Sequence, residues 1–316
     1  MNRQEFLKNI GMGSLAMALA PNMLMAETFP SIAFQSDLKL TILHTNDQHS
    51  RIEPFDANYT KNPNEGGFAR RASLIQQIRN KESNVLLLDS GDVFQGTPYF
   101  NFFGGELEFK LMSMMGYEAS TFGNHEFDNG LEGLVKALPN AKFPFLCSNY
   151  DFKNTILDGR TEPYKIFNKN GIKVGVFGLG VQLEGLVGKK NYGETVYNDP
   201  VEIALHYGDF LKKDKKCDLV ICLSHLGYEY KDEPQKISDV KLVPQTRNID
   251  LILGGHTHTF LPEPQKMINQ EGKNVLVNQV GWAGLLLGRI DFFFDKNKNI
   301  KNVAWQNQVI NDTIAV

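Results

Sequence analysis

Short apolar runs that alternate with helical patterns are the feature that most limits how this chain can fold. In the first half of residues 37–316, strand patterns alternate with helix patterns, and this order favours parallel strands. In the last third, strand patterns follow one another, and this order favours meanders. We therefore expect an α/β fold, a mixed sandwich, and 316 residues with 42% hydrophobic content suffice to bury its core.

Apolar periodicity and turn residues set the expected positions of the strands and helices. Strands are predicted at 38–44, 85–89, 119–122, 143–148, 165–167, 174–178, 219–224, 251–254, 275–280 and 285–294. Helices are predicted at 67–80, 107–115, 131–137, 200–213 and 240–248. The stretches "NKNGIK" and "DKNKNI" predict hairpin turns, because Asn and Gly tolerate positive φ.

Five of these apolar runs are followed by side chains of the kinds that bind metal ions. The runs end in "LHTNDQHS", "LLLDSGDVF", "STFGNHEFDNG", "CLSHLG" and "LILGGHTHT". The candidate residues are Asp47, His49, Asp92, Asn124, His125, His225, His256 and His258. Each alone fits an ordinary turn, but together they would meet at the carboxyl ends of strands, where open α/β sheets build their sites. Carboxylates and imidazoles at this density would lack partners without a divalent cation, so the set predicts a metal site.

The spacing of these residues bears on the directions of their side chains. Asp47 and His49 are two apart, so both can face one side of an extended segment. Asn124 and His125 are adjacent, so on an extended strand they would face opposite sides. Two interpretations of this pair stay open: an ordinary turn, or a ligand on one side and an acid on the other.

Two longer stretches carry a family resemblance. "LTILHTNDQHSRI" and "YEASTFGNHEFDNG" resemble the signature stretches of the bacterial 5′-nucleotidase family, within the calcineurin-like metallophosphoesterases. The order D-x-H, GD, GNHE, H, GHTH is similar to that of the superfamily across residues 40 to 260. The resemblance implies a four-layer αββα sandwich of two mixed sheets, with one metallophosphoesterase catalytic domain at 37–316.

The resemblance also implies a centre of two divalent ions. The first ion would be held by Asp47, His49 and His258, and the second by Asn124, His225 and His256, with Asp92 between them. Mixed nitrogen and oxygen ligands fit zinc, manganese, iron or cobalt. With two carboxylates and a bridging hydroxide, the centre would keep about one positive charge, which suits a phosphate dianion.

The implied function is hydrolysis of phosphate monoesters, 5′-nucleotides foremost, by attack of the metal-bridging hydroxide. His125 would be the general acid, and Asp128 would hold its imidazole in the protonated form. Glu126 would support the ligands or be structural. Two alternatives stay open: a phosphodiesterase acting on cyclic nucleotides or nucleotide sugars, and a non-catalytic metal-binding subunit of a larger surface complex. The intact acid pair argues against the second.

Residues 1–26 have the pattern of an export signal. Arg3 and Lys8 precede an apolar stretch at 10–20 that is too short for a membrane span. We therefore expect export to the periplasm, through either the twin-arginine or the general secretory route. The net charge of −3 and the pI of about 6.2 indicate neither a nucleic acid nor an anionic membrane as partner.

The remaining histidines, the cysteines and the length give further expectations. His44 is expected in the core and His206 on a solvated helix face. The cysteines in "FPFLCSNY" and "KKCDLVICLSHL" are expected to be buried free thiols, because Cys behaves as a small hydrophobe. Relatives of the full-length nucleotidase type carry a further nucleotide-binding domain. The chain is therefore expected either to discriminate weakly among bases or to obtain that domain from a separate polypeptide.

Overall fold

The computed structural model describes residues 38–316, so the predicted export signal at 1–26 lies outside the described residues. None of the helices in residues 38–316 combines the length and the apolar composition of a membrane span. The strands are β1 (Leu38–Thr45), β2 (Val85–Asp89), β3 (Tyr150–Asp151), β4 (Tyr164–Lys169), β5 (Ile172–Leu179), β6 (Val196–Tyr197), β7 (Leu219–Ser224), β8 (Leu251–Gly254), β9 (Gln265–Ile268), β10 (Asn274–Asn278), β11 (Leu286–Phe294), β12 (Ile300–Trp305) and β13 (Gln308–Val309). The α-helices are α1 (Phe68–Lys81), α2 (Pro98–Phe103), α3 (Glu106–Met115), α4 (Gly130–Ala137), α5 (Lys189–Tyr192), α6 (Pro200–Asp209) and α7 (Asp239–Leu242).

Two mixed sheets form the middle layers of the fold. The first sheet has the order β12–β11–β1–β2, with β1 parallel to β2 and antiparallel to β11, and with β13 paired to β11. The second has the order β4–β5–β7–β8–β10–β9. Its inner neighbours are parallel, whereas the edge strands β4 and β9 are antiparallel to their neighbours. The expectation of two mixed sheets is therefore confirmed.

The core lies in three apolar layers. Leu40 and Ile42 of the first sheet pack with Ile221 and Leu253 of the second, between the two sheets. Helices α1, α3 and α4 cover the other face of the first sheet, and α6 and α7 cover the other face of the second. Strands buried on both faces read as continuous apolar runs, which is why their positions were predictable.

The structure corrects several predicted elements. The segments 119–122 and 143–148 make only isolated bridges, such as Leu88 with Ala119, and are not full strands. The predicted helix at 240–248 is replaced by α7 and a 3₁₀ turn at Val243–Gln245, because Pro244 lacks a backbone donor. In addition, β11 crosses back to the first sheet, so the last third is not a simple meander.

Some elements were missed because they have no clear sequence pattern, and others were predicted correctly. Helices α2 and α5 and strands β9 and β12 were not predicted. The predicted helix 200–213 is confirmed as α6, which continues as a π-helical turn at Phe210–Asp214. Both predicted hairpins exist, joining β4 to β5 and β11 to β12.

The expectations for residues away from the metal site are confirmed. His44 is fully buried and contacts Asn278 Nδ2 through its Nε2 at 2.8 Å. Burial lowers the pKa of His44 to about 3, so this imidazole is neutral. His206 lies on the exposed face of α6. All three cysteines are buried and free.

Candidate metal centre and acid turn

The candidate ligands lie in loops that follow the strands and not on the strands themselves. Asp47, His49, Asp92, His256 and His258 have φ values of 48°, 47°, 53°, 74° and 51°. Residues other than glycine rarely adopt this left-handed conformation. We expected side chains two residues apart to face one side of an extended segment. That reasoning was wrong, because the segments are tight turns and the turns set the directions of the side chains.

Asp47, His49 and His258 form the first ligand group. One ligand atom from each lies within 4.8 Å of the others. His49 Nε2 is 2.8 Å from His258 Nε2, and His258 Nε2 is 3.3 Å from Asp47 Oδ1. Two imidazole nitrogens and a carboxylate oxygen at these distances fit a divalent cation of the zinc or manganese kind.

Asp92, His225 and His256 form the second ligand group, also within 4.8 Å. His225 Nε2 is 2.9 Å from Asp92 Oδ2 and 4.0 Å from Asp47 Oδ1, so the two groups adjoin. Asn124 is buried, and its Oδ1 has no hydrogen-bond partner within the described part of the chain. A buried amide oxygen without a partner is costly. A cation bound by Asn124 together with the second group would remove that cost.

Hydrogen bonds to the other ring nitrogen orient two of the histidines. His225 Nδ1 lies 2.6 Å from the carbonyl oxygen of Ser90, and His49 Nδ1 lies 3.2 Å from that of Phe94. In each case Nδ1 is the donor, which directs Nε2 into the ligand group. This arrangement is the usual support of metal-binding histidines and fits the expected ions.

The pKa values agree with cation binding. Burial lowers the pKa of His256 to about 4 and also lowers that of His49, so both imidazoles are neutral, as metal ligands must be. Burial also opposes a charge on His225, but the carboxylate of Asp92 outweighs burial and raises the pKa of His225 to about 10. A cation in the second group would replace that proton.

Glu126 supports the second group through hydrogen bonds to the backbone. Its buried carboxylate accepts hydrogen bonds from the backbone N–H groups of Gly123 (2.6 Å), Asp92 (3.0 Å) and Val93 (2.7 Å). Burial, together with the charge of Asp92, raises the pKa of Glu126 to about 7. The sequence left the role of Glu126 open, and in the structure its carboxylate joins the loop of Asp92 to the loop of Gly123.

The ligands pack against backbone that has no room for side chains. A Cβ on Gly123 would collide with Asp92 Oδ1 and with His225 Nε2, which would lie 2.5 Å away. A Cβ on Gly255 would lie 2.8 Å from His225 Nδ1. These two glycines therefore let the second group close around its centre.

His125 and Asp128 form the predicted pair beside the centre. His125 Nδ1 is 2.7 Å from Asp128 Oδ2, and the His125 ring centroid is 5.2 Å from that of His49. Burial opposes a charge on this imidazole, but the hydrogen bond to Asp128 and the charge of Asp92 raise the pKa of His125 to about 9. The imidazole is therefore protonated near neutral pH.

The backbone of this pair differs from the expected strand end. His125 begins a 3₁₀ turn, His125–Phe127, and Asn124 has helical φ and ψ of −78° and −29°. Alternation along a strand therefore does not separate Asn124 from His125. The backbone N–H of His125 donates to Asp92 Oδ1 at 2.8 Å, so this turn lies against the loop of Asp92.

The sequence that forms this fold matches a known protein family. The model of the calcineurin-like phosphoesterase family matches residues 40–260. The chain belongs to the calcineurin-like phosphoesterase family. Members of this family normally bind two divalent metal ions, and the His/Asp groups of the structure are able to hold them.

The relatives of this calcineurin-like phosphoesterase include 5′-nucleotidases. The snake venom 5′-nucleotidase of Naja atra is 37% identical over 285 residues, which is 83% of this chain and 52% of the relative. The structure of the 5′-nucleotidase precursor of Thermus thermophilus has a TM-score of 0.79 and 32% identity, over 88% of this chain and 56% of that one. The calcineurin-like phosphoesterase YfkN of Bacillus subtilis has a TM-score of 0.72 and 27% identity, over 88% of this chain and 93% of that one. The chain spans about half the length of the snake venom 5′-nucleotidases that it matches.

Sequence reasoning missed two residues that hold the first group of this phosphoesterase. Asn46 Nδ2 donates to Asp47 Oδ2 at 2.6 Å, and its Oδ1 accepts from Val280 N at 3.0 Å. Trp282 stacks on His258, with ring centroids 5.6 Å apart and planes 6° apart. The position of Asn46 next to Asp47 was a usable signal, whereas Trp282 is 24 residues from His258 and gave none.

Proposed function

We propose that this calcineurin-like phosphoesterase hydrolyses phosphate monoesters with two divalent ions, and that 5′-nucleotides are its main substrates. The observation that carries the proposal is the meeting of two ligand groups beside the His125–Asp128 pair. The 5′-nucleotidase relatives support the choice of substrate.

The ligand roles follow the two groups. One ion would be held by Asp47, His49 and His258, and the other by Asn124, His225 and His256, with Asp92 shared. When bound, such a pair of ions activates water as the nucleophile and clamps the phosphoryl oxygens during in-line attack. Asn46 holds the carboxylate of Asp47 in place, and Glu126 holds the loop of Asp92.

The proposed role of His125 is proton donation to the leaving oxygen of the ester. Asp128 holds Nδ1, so the proton on Nε2 is the one available to substrate. About one third of the His125 side chain is exposed, so the ring is partly accessible from solvent. Because water is the nucleophile, no phosphorylated side chain is needed.

The cellular setting is also a proposal. We propose that residues 1–26 direct export to the periplasm and that residues 37–316 are the catalytic domain. N-terminal sequencing of the protein recovered from the periplasmic fraction tests both, with a mature start near residue 27 as the expected result. Recovery of an uncleaved chain in the cytoplasm would contradict export. A separate polypeptide that recognises the base remains a prediction, and mixing experiments with co-purified proteins test it.

The activity test combines metal analysis with a substrate panel. Protein purified without chelator is expected to hold about two ions per chain, of zinc, manganese, iron or cobalt, and to hydrolyse AMP fastest. Faster hydrolysis of UDP-glucose or of a cyclic nucleotide would make the chain a phosphodiesterase. Two bound ions without hydrolysis of any ester would favour the non-catalytic subunit.

A further inference from the structure

One short loop, residues 255–259, carries a histidine of each ligand group. His256 belongs to the second group and His258 to the first, and the loop directly follows β8. Both histidines have a left-handed backbone, with φ values of 74° and 51°. Residues other than glycine keep this conformation only where the surrounding structure enforces it. Contacts that hold this loop therefore act on both groups, whereas those of Glu126 and Trp282 each reach one group.

The side-chain amide of Gln279 binds this loop at three points. Gln279 is fully buried and directly follows β10, which runs parallel to β8. Its Nε2 donates to the carbonyl oxygen of Gly255 at 2.6 Å. Its Oε1 accepts from Thr257 Oγ1 at 3.1 Å and from the backbone N–H of Thr259. The three partners are the residue before the two histidines, the residue between them and the residue after them.

Further hydrogen bonds fix both ends of this network. The backbone N–H of Leu261 donates to the carbonyl oxygen of Gln279 at 3.1 Å, so the chain beyond the loop pairs with the segment of Gln279. Thr257 Oγ1 also accepts from the backbone N–H of Tyr228 at 2.9 Å. Tyr228 lies three residues after His225, a ligand of the second group. The amide of Gln279 is therefore linked to two of the loops that carry ligands.

We infer that Gln279 is a positioning residue on which both ion sites depend, because it sets the directions of His256 and His258 together. The inference rests on the proposed two-ion function of this site and adds a residue that belongs to neither ligand group. A buried amide with a purely structural role would behave differently. Its loss would cost stability and leave the affinity for both ions unchanged.

The test is Gln279→Met, which removes the amide at nearly constant volume. Titration of the metal-free protein with zinc is expected to show both affinities lowered about 10- to 100-fold, the range for supports of metal ligands. Asn278→Leu is the matched control, because it removes the neighbouring buried amide, whose partners are His44 and Asn307. It should lower the midpoint of thermal unfolding and leave both zinc affinities within about twofold of the parent protein, since it shares no partner with the ligands.

A milder variant, Thr257→Val, removes only the hydroxyl that Gln279 and Tyr228 contact. It should lower both zinc affinities about 3- to 10-fold, the range for one lost neutral hydrogen bond. The visible absorption of bound cobalt gives a second measurement, because it reports the geometry of the ligands. At saturating cobalt the spectrum should change in Gln279→Met and in Thr257→Val but not in Asn278→Leu.

The outcomes separate this inference from the proposed hydrolase. Unchanged zinc affinities in Gln279→Met, or a loss confined to one ion, would overturn the inference. If that variant does not fold, Thr257→Val decides by the same criterion. If the parent protein hydrolyses AMP and the variants bind both ions as the parent does, the inference fails and the hydrolase stands. If the parent cleaves no ester and the variants lose affinity for both ions, the hydrolase fails and the inference stands.

Discussion

The two ligand groups are alike in composition but are held in different ways. The group of Asp92 depends on a buried carboxylate, since Glu126 ties the backbone of Asp92 to that of Gly123. The group of Asp47 depends on a side-chain amide and on the stacking of Trp282 against His258, whose side chain is 39% exposed. Buried hydrogen bonds to charge are stronger than ring stacking at a surface. Changes around the Asp92 group should therefore cost more than changes around the Asp47 group.

The largest effect is expected from Asp92→Asn, which removes a carboxylate from the boundary of the two groups. Activity should become undetectable, and the metal content should fall below two ions per chain, because an amide cannot share two cations as a carboxylate does. Metal analysis and AMP hydrolysis check this, with Asp295→Asn in the β11–β12 turn as the control. Full metal occupancy with normal turnover would show that the two ions do not share Asp92.

His125→Ala should leave both groups filled and lower kcat by roughly 10²–10⁴, the range for losing a general acid. The loss should be smaller for p-nitrophenyl phosphate, because its leaving group departs without a proton. Steady-state kinetics on alkyl and aryl esters, together with metal analysis, provide the comparison. An equal loss on both ester types would count against proton donation by His125.

Glu126→Gln should weaken the Asp92 group alone. The amide has one acceptor oxygen, whereas the carboxylate accepts from four backbone N–H groups. We therefore expect the affinity for one ion to fall about 10- to 100-fold, as for other supports of metal ligands. Titration of the metal-free variant with zinc measures this affinity. Glu106→Gln, at the half-buried start of α3, is the control. Two unchanged binding steps would show that Glu126 is merely structural.

Trp282→Leu should give the smallest effect, confined to the Asp47 group. Loss of the ring that stacks on His258 should lower the affinity for one ion by about 10-fold or less. It should leave kcat unchanged at saturating metal. The same titration measures it. Trp305→Leu on β12 removes the other tryptophan of the chain and should have no effect on metal binding. A larger loss from Trp282→Leu than from Glu126→Gln would reverse the comparison of the two groups.

The strands and the residue types of the site could be predicted from sequence, for a physical reason. Central strands such as β7 are buried on both faces, so their apolar runs are continuous and are bounded by turn residues. The ligands follow those runs directly, because parallel strands deliver their carboxyl ends to one edge. Position along the chain was therefore enough to identify Asp47, Asp92 and His225 as candidates for one site.

The conformations that aim the ligands could not be predicted. A left-handed φ at Asp92 depends on contacts with Gly123 and Glu126, which are over thirty residues away. The 3₁₀ turn at His125 likewise depends on the hydrogen bond from its backbone to Asp92. Helix α2, "PYFNFF", has too few residues for a helical period to show. Each of these features is decided by long-range packing and not by local pattern.

The left-handed backbone at five candidate ligands links the site to the folding equilibrium of the whole domain. Each such residue costs the native state about 1–3 kcal/mol, a cost that the unfolded chain does not bear. Ions that bind only the folded chain offset this cost, in proportion to the logarithm of their free concentration. The same backbone also makes glycine less harmful than alanine at His256 or His258, since glycine keeps the left-handed turn without strain. Loss of a metal ligand and loss of stability are therefore separable here. Without metal, a glycine variant at His256 or His258 should unfold less readily than the corresponding alanine variant, although both lack the ligand.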